Sequence, residues 1–393
     1  MKIAVIGGGA AGFFAAITCA THNPLCRVSI FERGKSVLEK VRISGGGRCN
    51  VTHACFDARE LVKNYPRGAR ELLGPFSKFG PADTVQWFES QGIRLKTESD
   101  GRMFPVTDDS QTIVDCLTRA AQKAGVELRT GVRIDRLEPT ADGKWVVEGQ
   151  VFDKIMVATG SSTAMWSVLE ALGHQIVPAV PSLFTFNTKD TRLRGLSGVS
   201  VASASLTIPG TKLASAGPLL ITHWGMSGPA VLKLSAWGAG ELFQLNYHFP
   251  LQVCFWPDAA EGIKEQKHQH GKKVVYSNPQ HGIPTRLWQS LVDAAGINPQ
   301  QRWADLDKAA VQGLTAQLAA ATFQIAGKST FKEEFVTAGG VSLKEINFKT
   351  FESRVCPNLY LGGEVLDIDA ITGGFNFQAA WTGGYLAGVA MGS

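Results

Sequence analysis

The chain has 393 residues, a length that suggests about two to three domains and leaves ample material for a core. Its 44% hydrophobic and 19% charged residues are those of an ordinary globular protein; no run reaches the roughly 18 apolar residues of a membrane span and no leader-like segment precedes the first strand, so the expected location is cytoplasmic, with no membrane partner. A net charge of +5, read as spread along the chain, suits an anionic cofactor without calling for nucleic acid, and seven cysteines with no C-x-x-C disfavour a disulfide framework, a zinc ribbon or a dithiol centre, leaving no metal site expected.

Lys2 to Ile6 reads as a strand that runs into Gly7-Gly8-Gly9-Ala10-Ala11-Gly12, followed by a helix from Phe13 to Ala20 and a second strand from Arg27 to Phe31. Glu32 lies about twenty residues past Gly12, and Arg33 follows it, which is the spacing of a dinucleotide-binding βαβ unit. Gly7 permits the tight turn, Gly9 lets the backbone approach a pyrophosphate, and Gly12 lets the helix pack against the strand. The helix N-terminus offers its free amides to the phosphates. Glu32 would accept from ribose hydroxyls and repel a 2′-phosphate, so the pocket suits FAD better than NADP.

Next comes Ser44-Gly45-Gly46-Gly47-Arg48-Cys49-Asn50, three adjacent glycines closed by a cation, a composition for setting successive amides against an anion or a flat ring. Arg48 would pair with the pyrophosphate or lie near the flavin, and Cys49 has no basic partner placed to activate it as a nucleophile. A polar, helical region is expected through about Gln91. Asp100-Gly101-Arg102 offers Arg102 as a carboxylate or carbonyl binder, with a tight turn as the plainer reading. Gly125 to Ile134 reads as an edge strand ending at the cofactor, Trp145 to Glu148 as part of a hairpin, and Phe152 to Gly160 as a buried strand whose end, Ala158-Thr159-Gly160, turns at the site.

From about Thr185 short β-rich pieces (184–187, 199–208, 242–249, 251–255) separated by Gly and Pro suggest a small barrel or sandwich, with helical stretches at 284–295 and 300–321 inside it. The Lys- and His-rich run 264–273 reads as a solvated loop. In Thr222-His223-Trp224-Gly225-Met226-Ser227-Gly228-Pro229, Ser227 can cap a helix starting near Pro229; His223 is either a catalytic imidazole or a satisfied core histidine. Near the end, Leu359 to Leu361 precede Gly362-Gly363-Glu364, where a carboxylate would hold the ribitol hydroxyls. Gly373-Gly374-Phe375-Asn376 open a helix whose bare amides would face flavin N1 and O2.

The simplest account is an α/β chain with a discontinuous Rossmann-like FAD-binding domain, 1–186 and 336–393, a β-barrel-like insert, 187–283 and 322–335, and a helical subdomain, 284–321. No second G-x-G-x-x-G appears, so NAD(P)H would come only transiently to the open flavin face.

These motifs resemble the BaiN/YhiN-type NAD(P)/FAD-dependent oxidoreductases, also described as aminoacetone-oxidase-like FAD-binding flavoproteins. The resemblance runs nearly end to end, through S-G-G-G-R-C-N-V-T, T-H-x-G-x-S-G-P and G-E-x-L-D-x-x-x-x-T-G-G-F-N. It implies a non-covalent FAD, a Rossmann-like domain and an insert with a barrel and a helical part. It also implies amine oxidation or reduction of activated double bonds in steroid-like acids. The stretch 251–282 departs from the pattern. The expected function is hydride transfer between flavin N5 and a small or flat organic substrate, with His223 and Arg102 as catalytic candidates. Alternatives are an oxygen-using amine oxidase and an FAD-binding tRNA-modification or redox-sensing protein, of which the tRNA-modifying one would need a basic, aromatic face.

Overall fold

The computed structural model describes residues 1–329 and 336–393, so the expected boundary at 335 lies outside the described residues. The chain divides into two compact units, Met1–Val180 with Lys332–Ser393, and Pro181–Phe331.

In the first unit, strands β1 (Lys2–Ile6), β2 (Arg27–Glu32), β3 (Glu127–Thr130), β4 (Lys154–Val157) and β5 (Leu359–Leu361) form a parallel sheet in the order 5-4-1-2-3. Two short strands, Ile346–Asn347 and Glu352–Ser353, extend its β5 edge antiparallel. β1 is buried on both faces, as the continuous apolar run predicts, whereas β3 is the exposed edge. The chain reverses direction across the sheet at β1, which opens a crevice beyond the carboxyl ends of β1, β2 and β4.

Helix α1 (Ala10–His22) and the C-terminal helix α2 (Phe375–Gly392) cover one face, and their packing depends on small residues. A Cβ at Gly384 would stand 2.6 Å from the Ala11 carbonyl oxygen, and one at Gly388 2.6 Å from that of Ala15. The two glycines, one turn apart, form the groove that receives α1. A buried polar network ties α2 to the rest: Gln378 Oε1 accepts from Thr52 Oγ1 at 2.6 Å and Thr84 Oγ1 at 3.0 Å, while Gln378 Nε2 donates to Thr382 Oγ1 at 3.1 Å.

The second unit is a seven-stranded sheet that curls on itself. Ala321–Ala326 pairs with His248–Cys254 at one edge, and after Gly327 the same chain, as Lys328–Ser329, pairs with Thr185–Asn187 at the other. Gly327, with φ +115, makes the bend, donating to the Tyr247 carbonyl at 2.8 Å and accepting from Asn187 at 3.0 Å. Helices Thr285–Ala294 and Lys308–Ala319, within the expected helical subdomain, share one core with these strands through Trp288, Leu291, Leu314 and Phe323.

Three local expectations are corrected. Residues 242–245 end a helix, Ala239–Gln244, and the strand begins at His248. The Lys/His-rich run lies largely in a helix, Ala259–Gln269, because Ala259 and Ile263, one turn apart, are buried against the core, while Lys264 stays outside and the half-buried Lys267 donates to the Leu306 carbonyl. Ser227 makes no cap: Gly228, at φ 93, occupies the N-cap before Pro229. The charge is also divided rather than spread. Residues 181–331 carry 13 Lys and Arg against 8 Asp and Glu, so the whole +5 belongs to the insert and the rest of the chain balances.

Candidate FAD site

At the end of β1 the glycines take separate jobs. A Cβ on Gly7 (φ +110) would strike the Ala158 carbonyl oxygen at 2.4 Å, and one on Gly12 would stand 2.0 Å from the Gly7 oxygen, so both are required by packing. A Cβ on Gly9 would meet nothing within 4 Å. The space above Gly9 and the start of α1, where Ala10 and Ala11 follow, is therefore open where a pyrophosphate belongs. Glu32 ends β2 with its carboxylate already placed, accepting from Gly8 N at 2.8 Å and Gly34 N at 2.7 Å.

Beside it lies a cavity of about 350 Å³ lined by Gly7, Glu32, Arg33, Ile134 and Thr159, with Val132, Arg133, Asp135 and residues 161–165 that the sequence reading did not name. Thr159 Oγ1 is buried without a hydrogen-bond partner among the described residues, an acceptor and donor waiting for a ligand. The residues present fit the adenosine half of FAD.

The three-glycine run forms a kink at the end of helix Glu39–Gly47. Ser44 is extended, its hydroxyl donating to the Val41 carbonyl at 3.0 Å, and Gly45, Gly46 and Gly47 follow at φ 59, 67 and 82. Gly45 packs against Phe104 and Asn50, while Cβ atoms on Gly46 and Gly47 would meet nothing within 4 Å. Successive left-handed residues aim their amides into one concavity, a nest for an anion or carbonyl. Cys49 is fully buried and burial pushes its thiol up to about 12, which makes it a packing residue with no nucleophilic character.

Arg48 does not stand free. Its guanidinium lies 4.0 Å over the Phe104 ring and bonds Glu98 at 2.7 Å and Asp108 at 3.5 Å. Arg102 meets the other oxygen of Glu98 at 2.9 Å and Asp100 at 2.7 Å. Both cations are thus held in one acidic cluster around Phe104, with their charge largely compensated.

Past the carboxyl end of β5, Gly363 leads to Glu364, which pairs with Lys40, a residue the sequence reading missed; Gly160 faces the same pair, 3.8 Å from Glu364 Oε2 and 4.0 Å from Lys40 Nζ at its Cβ position. Gly373 and Gly374, at φ 135 and 89, lead into α2, whose N-terminus carries no side-chain cap on its first turn. The Asn376 side chain accepts from Ala370 N at 2.9 Å and donates to Ala370 O at 3.2 Å, fixing the loop behind. Asn50, donating to Thr52 O at 3.0 Å, accepts from Gly374 N at 2.9 Å.

His223, in the second unit, is exposed in the turn after strand Ala214–Ile221, with its ring 6.3 Å from that of Trp224. That exposure does not fit a satisfied core histidine.

The profile of the HI0933-like protein Rossmann domain matches residues 1–390. The chain belongs to this family. A 3-dehydro-bile acid delta(4,6)-reductase of Clostridium scindens is 30% identical to it, over 98% of each chain. The HI0933-like chain is also 29% identical to a ribosomal RNA dihydrouridine synthase of Escherichia coli, over 96% of this chain and 94% of the relative. In fold it is similar to 3-ketosteroid-delta4-(5alpha)-dehydrogenase from Rhodococcus jostii RHA1, with a TM-score of 0.54 at 13% identity, covering 100% of this chain and 97% of that one. The protein is an FAD-dependent oxidoreductase of the HI0933-like family, and no helix among its described residues is long and apolar enough to cross a membrane.

Proposed function

We propose that this protein is a reductase that moves hydride from transiently bound NAD(P)H, by way of FAD, to a carbon–carbon double bond conjugated to a carbonyl in a flat organic ring. The observation that carries the reading is the paired cradle of open positions, Gly9 on one side and Gly46, Gly47 and the uncapped N-terminus of α2 on the other. The first suits a pyrophosphate. The second offers amides to the flavin edge that gains negative charge on reduction. FAD supplies two-electron chemistry when bound; Glu32, Thr159 and the Glu364–Lys40 pair would hold its ribose and ribitol hydroxyls.

The relatives support the acceptor class. Reduction at the delta(4,6) positions of a 3-dehydro-bile acid and formation of dihydrouridine both add two hydrogens across a carbonyl-conjugated double bond. Hydride enters at the carbon β to the carbonyl, the carbonyl oxygen takes the charge, and a proton completes the α carbon. His223 is our candidate for that proton, a role suited to imidazole chemistry. Arg102, compensated by Glu98 and Asp100, positions the loop around Phe104.

A second reading takes the uracil ring of an RNA as the acceptor. It is favoured by the restriction of the net positive charge to residues 181–331, which gives that unit attraction for a polyanion and leaves the nucleotide unit neutral. The test is an anaerobic half-reaction: reduced enzyme is mixed with a conjugated steroid ketone, with uridine-containing ribosomal RNA, or with neither, and reoxidation is followed. Fast reoxidation by the ketone alone supports the first reading, and by the RNA alone the second. Reoxidation only on admitting oxygen, with an amine as the reductant, overturns both in favour of an oxidase, and no turnover leaves a sensor.

A further inference from the structure

His53 belongs to no motif singled out above, yet it lies between the Asp100–Arg102 turn and the loop expected to face the flavin ring. It is half-buried in the strand Thr52–His53, paired with Arg102 in the strand Arg102–Pro105. One face of its imidazole stacks on Phe375, the first residue of α2, with centroids 4.6 Å apart and planes 21° from parallel. Its Cε1–Nε2 edge fills the space above Gly101, where a Cβ would come within 2.4 Å of the ring. The ring therefore occupies a slot between the Asp100–Arg102 turn and the Gly373–Phe375 loop.

The two ring nitrogens differ. Nε2 lies 3.1 Å from the Asp100 carbonyl oxygen, which can only accept, so Nε2 carries the hydrogen. Nδ1 is then the bare lone pair of a neutral imidazole, and it is buried with no partner among the described residues. A buried nitrogen left without a partner is uncommon, and redox or catalytic use is one of the few reasons to keep one.

We propose that His53 takes up a proton at Nδ1 when the bound cofactor is reduced, and returns it when electrons leave. The proposal rests on the reading that the flavin edge gaining negative charge lies at the N-terminus of α2. Before reduction, burial holds the imidazole below the usual histidine range and outweighs the Asp100 carbonyl. The charged groups facing the ring are Asp100 and Arg102, which pair with each other at 2.7 Å and nearly cancel; from α2 it meets only apolar Phe375 and the positive end of the helix. Negative charge arriving beside that helix end reverses the balance and favours the imidazolium. The step balances. NAD(P)H gives up two electrons and a proton as hydride and leaves as NAD(P)+, while His53 gains one further proton from water. On hydride transfer to the acceptor that proton goes back to solvent.

The experiment is the pH dependence of the flavin midpoint potential of the FAD-loaded protein across neutral pH. Wild type is expected to show two protons per two electrons, and His53→Gln, which keeps a donor for the Asp100 carbonyl and cannot be protonated, one. A wild-type slope of one proton, or an unchanged slope in His53→Gln, overturns the proposal. Asn376→Asp places a carboxylate in the first turn of α2 and is expected to lower the potential. An unchanged potential there overturns the underlying reading of the flavin edge, and the proposal with it. Should His53→Gln fail to hold FAD, nitrogen NMR on 15N-histidine wild type decides. One imidazole passing from neutral to doubly protonated on reduction supports the assignment, and none doing so refutes it.

Discussion

The Asn50 side-chain oxygen receives the Gly374 N–H at 2.9 Å, so the loop that closes the three-glycine run also fixes the start of the C-terminal helix. The bond holds the glycine before the helix and leaves the amides of the first turn without a side-chain cap. Asn50→Ala is expected to cost about 1–3 kcal/mol, the range for leaving a buried donor unmet, seen as a lower urea midpoint. It should also release FAD more readily than a surface variant of equal stability.

Gly9 and Gly12 separate ligand space from packing space. Gly9→Val should fold with a near-wild-type melting temperature and be purified colourless, because the added atoms enter only open space. Gly12→Val should fail to accumulate as soluble protein, since even a Cβ would lie 2.0 Å from the Gly7 oxygen. A yellow Gly9→Val protein with stoichiometric FAD would refute the placement of the pyrophosphate.

Gln378 serves two hydroxyl donors, Thr52 and Thr84, inside the core. Gln378→Leu leaves both unmet and should lower stability by roughly 2–4 kcal/mol. Adding Thr52→Val and Thr84→Val should recover part of that loss, since removing both sides of a buried hydrogen bond costs less than removing one. Chemical denaturation of the three variants measures the recovery directly.

Asp367 gives a pH signature. Burial raises its carboxyl above the ordinary value, only partly offset by the Gly339 N–H at 3.0 Å and by Arg67. A group that holds its proton more tightly when folded lends stability that is complete below the unfolded aspartate value, about 4, and is lost as pH rises through the raised folded value. Asp367→Asn, which can still accept from Gly339, should therefore be more stable than wild type at pH 7 and equal to it near pH 3. Thermal melts at the two pH values test this, and a variant less stable at pH 7 would contradict it.

His223 is exposed in its turn, so His223→Ala should change stability by less than about 0.5 kcal/mol. If it supplies the proton, turnover should fall roughly 10²-fold or more while the rate of flavin reduction by NAD(P)H is unchanged. Loss of both half-reactions alike would point to disruption of the turn.

What the sequence revealed was what lies within one short stretch. The strand, the glycine spacing and Glu32 sit inside a single βαβ unit, so their geometry is dictated by local periodicity, whereas the 5-4-1-2-3 sheet order, with Leu359–Leu361 beside β4, was not legible. The pairs Lys40 with Glu364, Asn50 with Gly374 and His53 with Phe375 join segments more than three hundred residues apart, and no spacing rule connects them. Arg48 and Arg102 were legible as cations and not as compensated ones, because Glu98 reaches both only once the strand at Arg102 has paired with Thr52–His53. The helix at 259–269 was hidden by its charge, since two buried residues in eleven give a weak apolar stripe.

The position of β5 sets an order of assembly during synthesis. β1 is synthesised shortly before β2 and pairs with it early, but the strand that covers the free edge of β4 is Leu359–Leu361, and the helix whose glycines seat α1 follows it. Residues 181–331, with their own core, are complete before either arrives. The nascent nucleotide unit thus waits with a bare apolar strand edge exposed, the state most open to chaperones and to mispairing. The cofactor cradle closes only as α2 docks, so FAD capture reports that β5 and α2 have joined the sheet and α1.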